Sequence, residues 1–377
     1  MKGLMKLKVT CTKLEMGEAI NAVSRAVLSK ASYSEPLLTG IYMRAEGSRL
    51  TEEAMNEKLS IRTTIPVNTE KPGAIVVNGK YLQEVHRKLT GDIISIMYDE
   101  EAKTVTIQSE TIAFKLLAMN AEDWLRIEEP DSVVKFKMPV LVLKNLIRKT
   151  MYACSNDDSR PMFTGCLLEI KDKKVTMVGT DTHRIAIMKD DIYDDIGEMK
   201  YIIPSKALSE LLRQSDESNG NEAVISCSAD EIAFEFDNVY MKTRMLEGEF
   251  PRYEKVIPRE ATVTARLETS ELLAAIDRVG LIAKETEYKT IRCKFADGQL
   301  ELSSTSPEIG NAEESIAAQI DGGKMDISFN VNYLSDALKV IDTKICVIRM
   351  TESLKPAEIR EADSDDYIYV VTPIRTV

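Results

Sequence analysis

Histidine is nearly missing from this 377-residue chain: His86 and His183 are the only two. Six cysteines lie scattered at 11, 154, 166, 227, 293 and 346 without a CxxC pair, so a zinc centre has no ligand set to draw on. The same scatter reads as small core hydrophobes in a reducing compartment. No stretch approaches the ~20 continuous apolar residues of a membrane span. The opening MKGLMKLKVT carries lysines but no apolar segment leading to a small-residue cleavage site. Export is therefore not expected, and the cytoplasm is the expected location. Positive charge is also short. Against 61 Asp and Glu stand 49 Lys and Arg, a formal net charge of −12. That excess argues against a protein gripping nucleic acid over its whole surface.

What the chain does have is repetition. It is too long for one ordinary core, so two or three domains are expected. AIVVNGKYLQEV (74–85), YIIPSKALSELL (201–212) and DISFNVNYLSDAL (326–338) each read as a short alternating strand, a polar joint of two or three residues, and a helix start. Leu82, Leu208 and Leu334 hold equivalent places, each 126 residues after the last. A second series comprises 7–30, 134–154 and 263–284, where Ile20, Leu146 and Ile276 correspond at spacings of 126 and 130. Several alternating runs follow each helix, among them DIISIMYD, IAFKLLAM, KVTMVG, IAFEFD, TIRCKF and ICVIRM. The expectation is α+β: three repeated domains, each with two helices backed by antiparallel sheets. Repeats this long form domains with their own cores. Boundaries fall in EEPDSV and VIPREATV, giving 1–131, 132–258 and 259–377.

The helices invert the overall charge. Their six windows hold fourteen Lys or Arg against seven acids. Helices lining one wall would meet a phosphate backbone without reading bases, giving sequence-independent and salt-sensitive attraction.

GTDTHRIAI (179–187) gathers an acid, a histidine, an arginine and two threonines. A nucleophilic site needs its base within reach of the nucleophile and a third group orienting that base, which neighbouring residues rarely achieve. On a strand, Thr180 and Thr182 face one side, Asp181 and His183 the other. The local reading is a strand end whose polar groups tie down a turn.

With SRPMFTG (159–165), LEGEFPRYEKVIP (246–258), FNVNYLSDAL (329–338) and the tail YVVTPIRT (369–376), GTDTHRIAI forms five ordered motifs. The chain resembles the bacterial DNA polymerase III beta subunit, the sliding clamp. The likeness is close over the second and third domains and carried in the first by LLTGI, the helix after NGK, and IAFKL. It implies a DNA-clamp fold without catalytic activity, cofactor or metal, forming half of a six-domain ring closed as a head-to-tail homodimer around double-stranded DNA. The implied partners are the replicative DNA polymerase, the clamp loader and other proteins carrying short clamp-binding peptides; the implied location is the nucleoid. By motif position, the peptide pocket would comprise Arg160, Phe163, Thr180, Thr182, His183, Arg184, Ile185, Pro251, Val256, Asn330, Tyr333, Leu354, Val370, Thr372, Pro373, Ile374 and Arg375. The dimer interface would set Leu281 and Ile282 against Phe114 and Leu116 of the partner copy. Lys80, Arg148, Lys149 and Lys206 are the side chains expected to face DNA.

Three departures stand out. In RLTEEAMNEKLSIR (49–62) a charged stretch with helix-forming character replaces the family's reverse turn. The basic side chain before the LLTGI segment is displaced, leaving Lys30 nearby. In SNDDSRPMF, Asp157, Pro161 and Met162 stand where some relatives meet DNA, and a carboxylate there cannot attract a phosphate. These keep open a divergent paralogue, or a clamp-like scaffold with weakened DNA function. A hydrolase built on Asp181 and His183 is the rival from another class, and it lacks a paired nucleophile, a phosphate loop and a metal set.

Overall fold

The computed structural model describes residues 7–30, 36–131, 134–193, 196–215 and 222–375. Its elements repeat in order. The first repeat runs β1 (Lys8–Thr12), α1 (Lys13–Val23), β2 (Gly40–Glu46), β3 (Arg49–Met55), β4 (Leu59–Pro66), β5 (Asn68–Lys71), β6 (Gly73–Asn78), α2 (Gly79–Lys88), β7 (Ile93–Asp99), β8 (Thr104–Ser109) and β9 (Ile112–Met119). The second holds β10 (Val134–Pro139), α3 (Val140–Thr150), β11 (Gly165–Lys171), β12 (Lys174–Thr180), β13 (Arg184–Asp191), β14 (Met199–Pro204), α4 (Ser205–Gln214), β15 (Glu222–Cys227), β16 (Glu231–Phe236) and β17 (Val239–Arg244). The third has β18 (Val263–Glu268), α5 (Thr269–Ala283), β19 (Thr290–Ala296), β20 (Gln299–Ser306), β21 (Gly310–Ala317), β22 (Gln319–Gly322), β23 (Met325–Asn330), α6 (Val331–Leu338), β24 (Ile345–Met350), β25 (Ala357–Glu361) and β26 (Tyr367–Val371). Every described strand pair is antiparallel. The expected α+β repeat of two helices and antiparallel sheets is what the chain forms.

The anchors found by spacing are core residues. Leu82, Leu208 and Leu334 are buried, as are Ile20, Leu146 and Ile276. All six cysteines are buried, and none forms a disulfide among the described residues. The polar joints, however, are missing: each second helix starts directly after its strand. In the first and third repeats the last strand residue is the cap, with Asn78 Oδ1 accepting from Tyr81 N (3.2 Å) and Asn330 Oδ1 from Asn332 N (2.9 Å).

Residues 49–62 need a correction, because they are not helical. They form the β3–β4 hairpin, and Asn56 makes its turn by accepting from Lys58 N (2.9 Å) and Leu59 N (3.0 Å) at Oδ1. Asp181 does the same in the second repeat, accepting from His183 N and Arg184 N at 3.0 Å each. Helix propensity is a weak prior that strand pairing on both sides overrides here. The reverse turn is retained with different residues.

Contacts divide the chain into two compact units, one of Met1–Val140 and Glu210–Met245, the other of Leu141–Ser209 and Leu246–Val377. The first holds a 13-stranded sheet in the order β10-β15-β16-β17-β4-β3-β2-β6-β9-β8-β7-β1-β5. The second holds a nine-stranded sheet, β14-β11-β12-β13-β26-β25-β24-β18-β22, and a four-stranded one, β21-β20-β19-β23. Each large sheet crosses a repeat boundary by one strand pair. In the first unit β17 lies on β4, with Met241 opposite Ile61. In the second β26 lies on β13, with Tyr369 opposite Ala186.

Candidate peptide pocket and nucleic-acid face

The turn between β12 and β13 is built from its own polar groups. Besides the two backbone amides, Asp181 accepts at Oδ2 from Arg184 Nε (3.0 Å). Thr180 Oγ1 donates to Arg184 O (2.7 Å) and accepts from Thr182 N (3.2 Å). These bonds hold Thr182 at φ +80°, a left-handed conformation that a β-branched residue seldom adopts. Both carboxylate oxygens of Asp181 are thus engaged by backbone and guanidinium. The arrangement lacks the carboxylate-to-imidazole bond that a hydrolytic triad uses. His183 instead presents an exposed ring lying roughly parallel to Tyr333, with centroids 6.5 Å apart.

Arg184 organises the floor behind this turn. Its guanidinium donates to Asp336 Oδ2 (2.7 Å) and Tyr152 O (2.9 Å), and lies 4.5 Å from the Tyr333 ring centroid. The C-terminal strand joins alongside, with Ile185 opposite Val370. Beyond it Thr372 donates to His183 O through both N and Oγ1, at 2.9 Å each, and Ile374 N donates to Ser328 O of β23 (2.8 Å). The tail is therefore stitched between turn and sheet.

Apolar side chains surround this seam. Ile185, Val370, Leu167, Val178 and Tyr253 belong to one buried cluster, against which Met162, Phe250 and Ile257 pack half-buried. Phe163 meets Phe250 edge to face at 6.3 Å. Val256 (50% exposed) and Leu354 (59%) remain open to solvent. Pro251 borders a cleft of about 440 Å³ that Leu167, Ile202 and Tyr253 also line. Asn330 is held by α6 and by its Nδ2 bond to Tyr288 O (3.3 Å). Arg160, Pro373 and Arg375 complete the implied set; Arg160 and Arg375 are exposed, and no described side-chain bond ties them to the seam.

The residues expected to face DNA divide. Lys80 and Lys206 are exposed at the second position of α2 and α4. Arg148 is partly exposed but donates to both carboxylate oxygens of Asp342, holding that carboxyl below the usual carboxylate range. Lys149 is a correction. Its ammonium is buried, 2.6 Å from Glu361 Oε1 and 3.4 Å from Asp342 Oδ2, because a desolvated charge requires paired acids. Sequence reasoning passed over Arg25 and Arg213, which line a cleft of about 350 Å³ with Asn21, Gln214 and Asn238, and with Glu18 and Asp237. Both lay inside the counted helical windows. Asp157, the departure in SNDDSRPMF, is exposed and accepts from Ser159 N (2.9 Å) and Ser159 Oγ (2.7 Å), which lowers its pKa.

Among the described residues, no group of three or more His, Cys, Asp or Glu could hold a metal ion, and no helix is long and apolar enough to cross a membrane. Three successive α+β repeats joined strand to strand define a clamp-type protein. The N-terminal, central and C-terminal domains of the DNA polymerase III beta subunit match residues 7–128, 137–252 and 254–375. The chain is 31% identical to the beta sliding clamp of Halalkalibacterium halodurans over 370 residues, covering 95% of this chain and 96% of the relative. Against the Bacillus subtilis beta sliding clamp it is 30% identical, covering 98% and 100%. The solved B. subtilis clamp superposes with a TM-score of 0.92 at 29% identity, covering 98% of this chain and all of that one. A Pseudomonas aeruginosa clamp, solved bound to griselimycin, gives 0.93 at 26% with the same coverage. The chain belongs to the DNA polymerase III beta subunit family, the bacterial sliding clamps.

The two views of Lys149 predict opposite phenotypes. Lys149→Ala should leave buried Glu361 without its cation, with only Asp342 N (3.1 Å) still donating to it, and cost about 3–5 kcal/mol by urea denaturation. The salt dependence of DNA association should stay as in the parent, whereas Lys206→Ala should lower its slope by about one. Unchanged stability with a reduced slope would return Lys149 to the DNA face.

Proposed function

We propose that this clamp encircles duplex DNA as a head-to-tail homodimer and tethers the replicative polymerase, clamp loader and other factors through short peptides, in the cytoplasm at the nucleoid. Its three domains are 1–131, 132–258 and 259–377; the first boundary falls between the matched 7–128 and 137–252, while the C-terminal family match begins at 254, ahead of the second boundary, and 132 and 133 lie outside the described residues.

The observation that carries the homodimer is the unequal use of strand edges. The last strand of the second repeat, β17, pairs with β4, and the last strand of the third, β26, pairs with β13. The corresponding strands left over are β9 and β21. Among the described pairs, β9 meets β6 only through Ala118 and Met119, and β21 pairs only with β20. An open edge with exposed apolar neighbours invites pairing. Leu281 at the end of α5 is 67% exposed, Ile282 half-buried, and Phe114 and Leu116 on β9 half-buried. A second copy would satisfy both edges with a closed cyclic contact.

DNA attraction falls to Lys80, Lys206, Arg25 and Arg213, with Arg148 partly offset by Asp342. Contacts of this kind act on phosphates and read no sequence. The neutralised end of α3 favours a second reading, a clamp-like scaffold with a weakened grip on DNA.

The peptide pocket draws support from the stitched seam, where buried apolar side chains lie beneath an exposed histidine and open Val256 and Leu354. Such a floor suits one or two large apolar anchors, with roughly micromolar affinity once ordering costs are counted. Two pockets per dimer would add avidity while permitting exchange.

Replacing Leu281 and Ile282 with Asp should give folded monomers by sedimentation; an unchanged dimer contradicts this interface. Deleting 373–377 should abolish binding of a peptide with Leu and Phe anchors while leaving the dimer intact. Full affinity by calorimetry after that truncation would remove the pocket from the tail.

A further inference from the structure

Two glutamates sit side by side in β3 with opposite surroundings. Glu53 is buried but satisfied, accepting from Trp124 Nε1 (3.0 Å) and from Arg126 Nε and Nη2 (3.4 Å each). Glu52, on the other face, has no exposed surface, and among the described residues neither of its carboxyl oxygens has a hydrogen-bond partner. A buried carboxylate normally carries paired donors, and without them the ionised form is strongly disfavoured.

The internal repeat supplies a built-in comparison. Strands β3, β12 and β20 hold the same place in the three repeats, and their pairing with β2, β11 and β19 aligns Glu52 with Met177 and Leu302. Both counterparts are completely buried. Two repeats thus carry an apolar side chain where the first carries an acid.

Among the described residues, the elements packed around β3 bring no donor to the Glu52 carboxyl. On β1, the Cys11 thiol is pushed up to about 12, by burial first and then by Glu52 and Glu15. On α1, Lys13 donates to Leu89 O, Glu15 accepts from Thr12, and Glu18 belongs to an open cleft. Arg25 beyond α1 is exposed. Arg44 of β2 pairs with Glu46, and Arg62 of β4 donates to Ile127 O.

We propose that Glu52 makes the first repeat a proton-linked weak point, whose packed β3–α1 core requires the neutral carboxylic acid and loosens before the other repeats as protons become scarce. This holds independently of DNA or peptide binding. Burial moves the carboxyl from 4.5 to about 8 in the folded chain. The acid's contribution to stability is therefore complete below the ordinary carboxylate pKa. It falls by roughly tenfold in the folding equilibrium per pH unit through the window up to about 8, and is gone above it.

The chain's single tryptophan reports on this repeat, since Trp124 stacks on Tyr42 of β2 at 5.6 Å and bonds Glu53. Urea unfolding of the full chain would be followed by Trp124 fluorescence from pH 5 to 8.5, for the parent, Glu52→Met and Glu52→Gln. Relative to both variants, the parent midpoint should drop steadily with rising pH, and its Trp124 transition should precede the far-UV transition at pH 8. Parallel pH profiles would overturn the proposal, as would variants less stable than the parent at pH 8. If Glu52→Met does not fold, the slope of Glu52→Gln alone decides.

Discussion

The whole molecule depends on backbone pairing across repeat boundaries. A domain that ended in an ordinary exposed strand would present a row of unpaired amides and carbonyls, a template for indiscriminate association. Here the last strand of one repeat is consumed by the hairpin of the repeat before it, β17 on β4 and β26 on β13. The register is tightly specified because both faces of these strands are packed: Val239, Tyr240 and Met241 of β17 and all five residues of β26 are buried, so a one-residue slip would exchange side chains between differently shaped surroundings. Two boundaries closed in this way leave β9 and β21 as the corresponding strands that, among the described pairs, meet no neighbouring repeat.

The same pairing brings distant residues to one surface. Without β26 on β13, the tail would have no reason to lie beside a turn nearly 190 residues earlier in the chain. With it, Thr372 reaches His183 O through two bonds, and the Asp181–Arg184–Asp336 network sets the turn rigidly beneath. A docking surface benefits from such preorganisation because little ordering remains when a peptide arrives.

Much of this was legible where the cause is local. The equivalent places of Leu82, Leu208 and Leu334 after a short strand mark three helix starts, and alternating apolar runs mark several of the strands. Identical spacing then exposed the threefold repeat. Legibility failed where the cause is distant. TEEAMNEK carries helix-forming residues, yet partners on both sides make it a hairpin, with Asn56 performing the turn chemistry of Asp181. Lys149 looked like a free cation on an acid-free helix; its acid lies 212 residues away. The pocket set came from motif likeness, and spacing alone would not have joined Thr180 to Val370. Glu52 gave no sign at all, since a glutamate in a charged run ordinarily faces water.

As a sliding clamp, the protein is proposed to hold DNA by surrounding it. The most direct measurement is retention on a nicked circular duplex after loading, at moderate salt, before and after a single restriction cut. A closed clamp should stay on the circle and slide off the linear product at once, whatever the sequence of the DNA. Equal retention on circle and linear duplex, or no retention on either, would contradict the account.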